Sequence, residues 1–302
     1  MLPVVLVVLV AAFILLHLTP GDPAAVIGGE TATPADLERI RQTLGLNQPL
    51  YIQFGQWALG VLHGDLGNSI LSGEPVSLLL AQRMVPTITL AASTVVVSVL
   101  VGVPLGAFAA WKAGKWLDSA LTSFAVLAFS LPVFLVGYLL IDLFSLHSKL
   151  LPVQGFREFD DGIVEWLRHL VLPTVCLSLV FIALIARMTR ASVIEIAGSD
   201  FIRTARAKGV PEGRILVVHA LRNASVPIAT TVGLGVAHLL GGVIIVENVF
   251  AIPGIGRLVV DAVLARDFPV IRGVILVMSF TYLFINLAVD LLYLVLDPRI
   301  RQ

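Results

Sequence analysis

Residues 187–225 read RMTRASVIEIAGSDFIRTARAKGVPEGRILVVHALRNAS. They separate an apolar stretch near 169–186 from another near 226–246. This segment holds seven of the chain's 20 basic residues: Arg187, Arg190, Arg203, Arg206, Lys208, Arg214 and Arg222. Ser199-Asp200 predicts a capped helix running to about Lys208. Gly209 suits the left-handed conformation that ends a helix. Pro211 then opens a second helix with Glu212 in its first turn. That helix runs through His219, Leu221, Arg222 and Asn223, and Pro227 marks entry into the next apolar stretch. The expected product is a helix–turn–helix at a membrane face. A short stiff helix fits a groove on a partner and passes rigid-body motion to the helices joined to it. The plainer reading is a basic loop that only fixes topology. The length of the segment and its Gly-Val-Pro-Glu turn favour the lever.

Composition outside this segment sets the class. Of 302 residues, 58% are hydrophobic and 13% charged, against about 25% charged in soluble domains. Mean hydropathy is +0.97. Such a chain has too little polar surface for a soluble enzyme. Twenty basic and twenty acidic residues cancel, so nothing electrostatic supports a nucleic-acid partner. One cysteine, Cys176, allows neither an internal disulfide nor a cysteine metal site. The expected class is an all-α polytopic membrane protein.

Six stretches approach the roughly 20 helical residues that a bilayer core requires. They lie near 1–18, 86–110, 119–145, 169–186, 226–246 and 273–296. With both termini inside, segments 111–118, 187–225 and 297–302 hold 11 of the 20 basic residues. Their density exceeds twice that of the exterior segments, as the positive-inside rule requires. The chain then divides into a first transmembrane helix (1–18), an exterior or periplasmic segment with short helices (19–85) and a five-helix core (86–302). In the exterior segment, Thr33-Pro34-Ala35-Asp36 opens a helix ending near Gly45. Pro49 to Leu62 carries Tyr51, Phe54, Trp57, Ala58 and Val61 at helical spacing, a pattern suited to a membrane interface.

Catalytic signatures are missing. No phosphate loop of the form G-x-x-x-x-G-K-[ST] occurs, nor H-E-x-x-H, nor a Cys/His cluster. His238 within the fifth stretch reads as a packed, hydrogen-bonded histidine. No cofactor is expected on this chain. If ATP powers transport, another subunit hydrolyses it.

Arg203-Thr204-Ala205-Arg206-Ala207-Lys208-Gly209, followed by His219-Ala220-Leu221-Arg222-Asn223-Ala224, resembles the EAA loop of ABC importer permeases. Gly209 and Leu221 fall in register with that pattern. Arg203, Thr204, His219 and Arg222 depart from it as the dipeptide/oligopeptide/nickel branch does. Leu18-Thr19-Pro20-Gly21-Asp22-Pro23, Glu247 to Leu258, Asp290-Leu291-Leu292-Tyr293 and Leu296 to Ile300 resemble the same branch. The long segment after the first span is similar to its B-type permease. Members usually carry a basic cytoplasmic tip before span one, so a trimmed or misassigned start is expected here.

The resemblance implies a type I ABC importer permease fold with six transmembrane helices and cytoplasmic termini, in a bacterial inner (plasma) membrane. It implies a second, C-type permease and two ABC ATPase subunits that bind ATP and Mg. It also implies a periplasmic or extracellular substrate-binding protein. Dipeptides, longer peptides, glutathione and nickel chelates are the substrates of close relatives. Arg203 to Arg222 would dock on the ATPases, with Gly209 and Pro211 shaping the turn and Arg206, Lys208 and Arg214 meeting acidic groups.

Asn286 and Asp290 on the sixth stretch are pathway candidates, since an intramembrane carboxylate is costly unless it faces a cavity or a partner. Asp142 near the end of the third reads more as a structural group. Gly233, Ala237 and Gly241, and Gly102 and Gly106, recur at a spacing that lets helices pack closely. A stand-alone secondary carrier is the rival reading. It would show inverted repeats and broken helices at the midplane, and neither stands out.

Overall fold

The structure, a computed structural model, describes residues 2–18, 24, 28, 32–43, 45 and 47–296. Residues 19–23 and 297–302, quoted above, lie outside the described residues. The helices of the described residues include α1 (Leu2–Leu18), α2 (Pro34–Thr43), α3 (Leu50–Leu62), α4 (Val76–Trp111), α5 (Trp116–Ser130), α6 (Val133–His147), α7 (Ile163–Ala197), α8 (Asp200–Ala207), α9 (Glu212–Val249), α10 (Ile255–Ala265) and α11 (Phe268–Leu296). Among the described residues no β-strand occurs.

Four of these are long and apolar enough to cross a bilayer: α4, α7, α9 and α11. The third expected span, 119–145, is not one straight helix. It breaks at Leu131-Pro132 into α5 and α6, bent by 102°. Leu131 (ψ 126°) and Pro132 (ψ 136°) are extended, as the residue before a proline prefers to be. The first expected span is α1, at 17 residues about 25 Å long. Four other prolines do not interrupt helices: Pro86, Pro104, Pro173 and Pro227 all lie inside them. Membrane helices tolerate this because neighbouring groups satisfy the freed backbone. The expected start of a separate span at Pro227 is therefore corrected. The second helix of the interior loop and the fifth span are one helix, α9, of 38 residues.

The chain divides into two compact units, Met1–Val85 with Gly254–Tyr282, and Pro86–Pro253 with Leu283–Gln302. In the first, Thr33 and Asp36 cap α2 reciprocally. The Asp36 N–H donates to Thr33 Oγ1 (3.3 Å) and the Thr33 N–H to Asp36 Oδ2 (3.2 Å). Phe54 and Trp57 of α3 pack on Phe13 of α1, with ring centroids 5.4 and 5.9 Å away. Val76 and Leu80 of α4 meet Ile255, Ala262, Val270 and Val274. Asp267, almost fully buried, accepts from Ser69 Oγ (2.5 Å) and the Ile70 N–H (3.2 Å).

In the second unit α7 is the central element. Two thirds of its most apolar window is buried, with Leu177, Phe181 and Ile185 against Val243, Val246 and Phe250. Small residues set how close its neighbours come. A β-carbon on Gly106 would stand 2.3 Å from the Ala186 carbonyl oxygen, and one on Gly102 3.0 Å from Ile185 Cβ. Gly233 is as tight against Val289. At Gly241 nothing of this chain lies within 4 Å of the β-carbon position. The close contacts on α9 fall instead on Gly235, against Phe181, and Gly242, against Leu177. Ala237 is half-buried. A four-residue spacing identifies a small-residue stripe but not which side of the helix the neighbour occupies.

Candidate functional site

The interior loop is built from α8 and the start of α9. Ser199 precedes α8 with an extended backbone (ψ 154°). Its hydroxyl donates back to the Ile196 carbonyl (2.6 Å) and makes no cap to the helix it precedes. Asp200 supplies a negative charge in the first turn and Arg206 a positive one in the last, each complementing the helix dipole. The helix ends in a Schellman arrangement. The Gly209 N–H bonds the Arg206 carbonyl (2.9 Å) and the Val210 N–H the Ala205 carbonyl (3.2 Å). Gly209 sits at φ +77°, which a β-carbon disfavours. Pro211 then turns the chain into α9, and the Ile215 N–H returns to its carbonyl (3.0 Å).

A bidentate pair braces the turn. Arg206 Nε donates to Glu212 Oε1 (2.6 Å) and Nη2 to Oε2 (3.1 Å). These hydrogen bonds hold the Glu212 carboxyl below its ordinary value and raise the Arg206 guanidinium. Both side chains are about half exposed. Arg206, expected to meet a partner's acids, is thus engaged within the loop. Arg203 lies 3.3 Å from Asp200. Lys208, Arg214 and Arg222 are exposed. Thr204 Oγ1 bonds the Asp200 carbonyl (2.9 Å), and Asn223 Nδ2 bonds the His219 carbonyl (2.6 Å).

One face of α8 is anchored and the other is open. Ile202 is fully buried, while Phe201 beside it is 47% exposed. Beneath the loop, Val193 of α7 packs with Ala220, Ala224 and Ile228 of α9. At Ile215–Ala220 the helix widens into a π turn, and then continues unbroken to Val249. A rigid element thus runs from the interior loop through the length of a membrane helix.

A second brace was not legible in the sequence. Asp118, at the start of α5, takes Arg190 of α7 in a bidentate pair, from Nε to Oδ1 and from Nη2 to Oδ2 (2.7 Å). The Gly114 N–H also donates to Oδ2 (3.0 Å). The Arg190 guanidinium first, and that N–H second, hold the Asp118 carboxyl down to about 2. The only sequence signal was one acid in a basic interior segment.

An open apolar cavity of about 650 Å³ lies among α4, α9 and α11. Val99, Val103, Val232, Gly233, Ile285 and Val289 line it, with Leu221 and Ser225 toward the loop. Asn286 is half-buried and is not among its lining residues. The Asp290 side chain lies outside the described residues. Asp142 is exposed, 3.3 Å from His147 Nδ1. His238 is exposed rather than packed. Among the described residues of this unit, Glu247 near the end of α9 is a fully buried carboxylate, and its Oε1 accepts from Thr87 Oγ1 (2.6 Å). Among the described residues no cluster could hold a metal ion.

Residues 102–302 match the family described as "Binding-protein-dependent transport system inner membrane component", and residues 1–91 match its N-terminal counterpart. A probable peptide ABC transporter permease protein of Sinorhizobium fredii is 50% identical over 96% of this chain and 92% of its own length. A putative peptide transport system permease protein of Brucella abortus is 44% identical over 99% and 96%. The glutathione transport system permease protein GsiC of Salmonella choleraesuis is 41% identical over 100% and 96%. Among solved structures, a chain of the inward-facing MetNI methionine ABC transporter aligns with a TM-score of 0.61. It covers 73% of this chain and 97% of that one, at 17% identity, and so shows a shared fold.

Proposed function

The chain belongs to the inner membrane components of binding-protein-dependent transport systems, and on that premise we propose how this permease works. It forms half of a pathway for peptides or a closely related small solute such as glutathione. The relatives named for peptide and glutathione transport, matched over nearly the whole chain, support that substrate class. A second, C-type permease completes the pathway. Two ATPases bind and hydrolyse ATP with Mg, and an external binding protein delivers the solute. The chain has six spans, counting α1 and the bent pair α5–α6 as one each, with both termini in the cytoplasm of a bacterium.

One observation carries the coupling role. Helix α9 begins inside the interior loop, at Glu212, and continues to Val249 without a break. Force applied to α8 therefore reaches the membrane through Gly209, Pro211 and one continuous helix. The face of α8 that carries Phe201, together with Lys208 and Arg214, is the docking surface. Arg206 and Glu212 keep its angle to α9. ATP-driven closure of the ATPases moves this element and reshapes the apolar cavity beside α9. Asn286 and Asp290 lie on α11, which walls that cavity, and they tune the pathway through it.

The test is purification of a tagged chain in gentle detergent, with the accompanying subunits identified. A second permease and two ATPases should copurify, and disruption of Gly209 and its neighbours should release the ATPases. A folded chain that purifies alone and moves solute without ATP would establish a secondary carrier instead.

A further inference from the structure

Within the first unit, Arg272 is in an unusual position. It lies in the second turn of α11, close to the end of an apolar helix. Its guanidinium carbon sits 5.7 Å from the Phe13 ring centroid and 5.8 Å from that of Trp57. Its Nε is buried with no hydrogen-bond partner, and no ion pair to it occurs among the described residues. Aromatic faces attract a cation, but they do not saturate the donors of a guanidinium. A buried charge without a counter-charge is strongly unfavourable. Among the described residues no carboxylate pairs with it, so the site has room for an anion from outside.

Arg272 opens onto a cavity of about 220 Å³. Gln56 and Trp57 of α3 and Asp65 in the following turn line the same cavity. Asp65 is exposed, and its Oδ1 accepts from the Gly67 N–H (2.8 Å). It does not pair with Arg272. One small cavity therefore carries a cation and an anion, each unneutralised by the other. The complement is a zwitterion with an anionic group for Arg272 and an ammonium for Asp65.

The surroundings select a lipid source. Helix α3, which lines the cavity with Gln56 and Trp57, exposes Tyr51, Leu59 and Leu62, and α1, whose Phe13 meets Arg272, exposes Val10 and Ile14. An amphipathic helix with a tryptophan beside an apolar helix belongs at the headgroup level of a bilayer. Arginine is the side chain whose planar fork matches phosphate oxygens. We propose that the Arg272–Asp65 cavity binds a phosphoethanolamine headgroup, with the phosphate on Arg272 and the ammonium toward Asp65 and Gln56. The bound lipid would fasten α1 and α3 to the start of α11.

Native mass spectrometry of the full chain, mixed in detergent with phosphatidylethanolamine or phosphatidylglycerol, tests this. The unaltered protein should retain phosphatidylethanolamine about tenfold more than phosphatidylglycerol. Arg272→Gln should lower that retention about tenfold or more, the effect of losing charged hydrogen bonds. Asp65→Asn, at an exposed position, should fold normally and bring the two lipids to parity. Equal retention of both lipids by the unaltered protein overturns the proposal, as does a preference that survives Asp65→Asn. Displacement of the lipid by free glycylglycine, but not by glycerophosphoethanolamine, would assign the cavity to a soluble zwitterion and overturn the lipid reading.

Discussion

At Gly106 one hydrogen atom decides whether two helices can touch. A β-carbon there would overlap the Ala186 carbonyl oxygen and stand 2.7 Å from Thr189 Cβ, and neither backbone can yield cheaply. Gly106→Val should cost about 1–3 kcal/mol, the usual penalty of overpacking. Gly241→Ala, with open space around it, should be neutral or stabilise by about 0.5–1 kcal/mol through helix propensity. Thermal unfolding of the two purified variants in one detergent checks the contrast. Asp118 makes a prediction in pH. Its carboxyl is held from an ordinary 3.8 down to about 2 by Arg190 and Gly114. A depressed carboxylate stabilises fully above its unfolded value, and that contribution is lost as pH falls toward the folded one. Stability should therefore fall between about pH 4 and 2, and Asp118→Asn should flatten that part of the curve. A slope unchanged by the substitution would mean that the pair does not hold in the membrane protein.

Adjacent residues on α8 point opposite ways, so the element can be dissected. Ile202→Ala removes a fully buried side chain and should destabilise the loop by about 2–5 kcal/mol. Phe201→Ala should leave unfolding unchanged while weakening ATPase copurification. Measuring both properties on both variants separates anchoring from docking. If Phe201→Ala retains the ATPases fully, that face is not the contact. Much of this element was legible in the sequence because its signals are local. The left-handed Gly209 and the turn at Pro211 depend on nearest neighbours, whereas the expected Ser199 cap does not form, its hydroxyl turning back to the Ile196 carbonyl. Pairings that span the fold were not legible. Asp118 and Arg190 are 72 residues apart, Ser69 and Asp267 198, and no periodicity links them. Pro132 and Pro227 show the same limit. Both are prolines in apolar stretches, yet one follows the end of a helix and the other is absorbed by α9.

For the molecule as a whole, orientation is the property to test. Cys176 is the chain's one cysteine and is buried, so a reporter background needs a single change, Cys176→Ala. Cysteines at Lys112 and Lys208 should react with an impermeant maleimide only from the cytoplasmic side, and one at Lys149 only from outside. Reaction of positions 112 and 149 from the same side would make the bent pair α5–α6 a re-entrant loop and reduce the count of spans to five. The class of the molecule was legible from composition alone, since apolar residues dominate and charge is sparse. The count was not, because α1 is short and the third stretch is bent.

The break at Leu131-Pro132 also has a consequence for how the protein is made. Each half of the bent pair has 15 residues, about 22 Å of helix, against a hydrocarbon core of about 30 Å. As the chain leaves the ribosome, 116–130 emerges first and is too short to settle across the bilayer by itself. In the six-span arrangement proposed above, it should wait at the insertion machinery for 133–147 so that the two enter together. Substitutions that slow synthesis or add charge in the second half should therefore strand the first, and the damage would appear in biogenesis before it appears in transport.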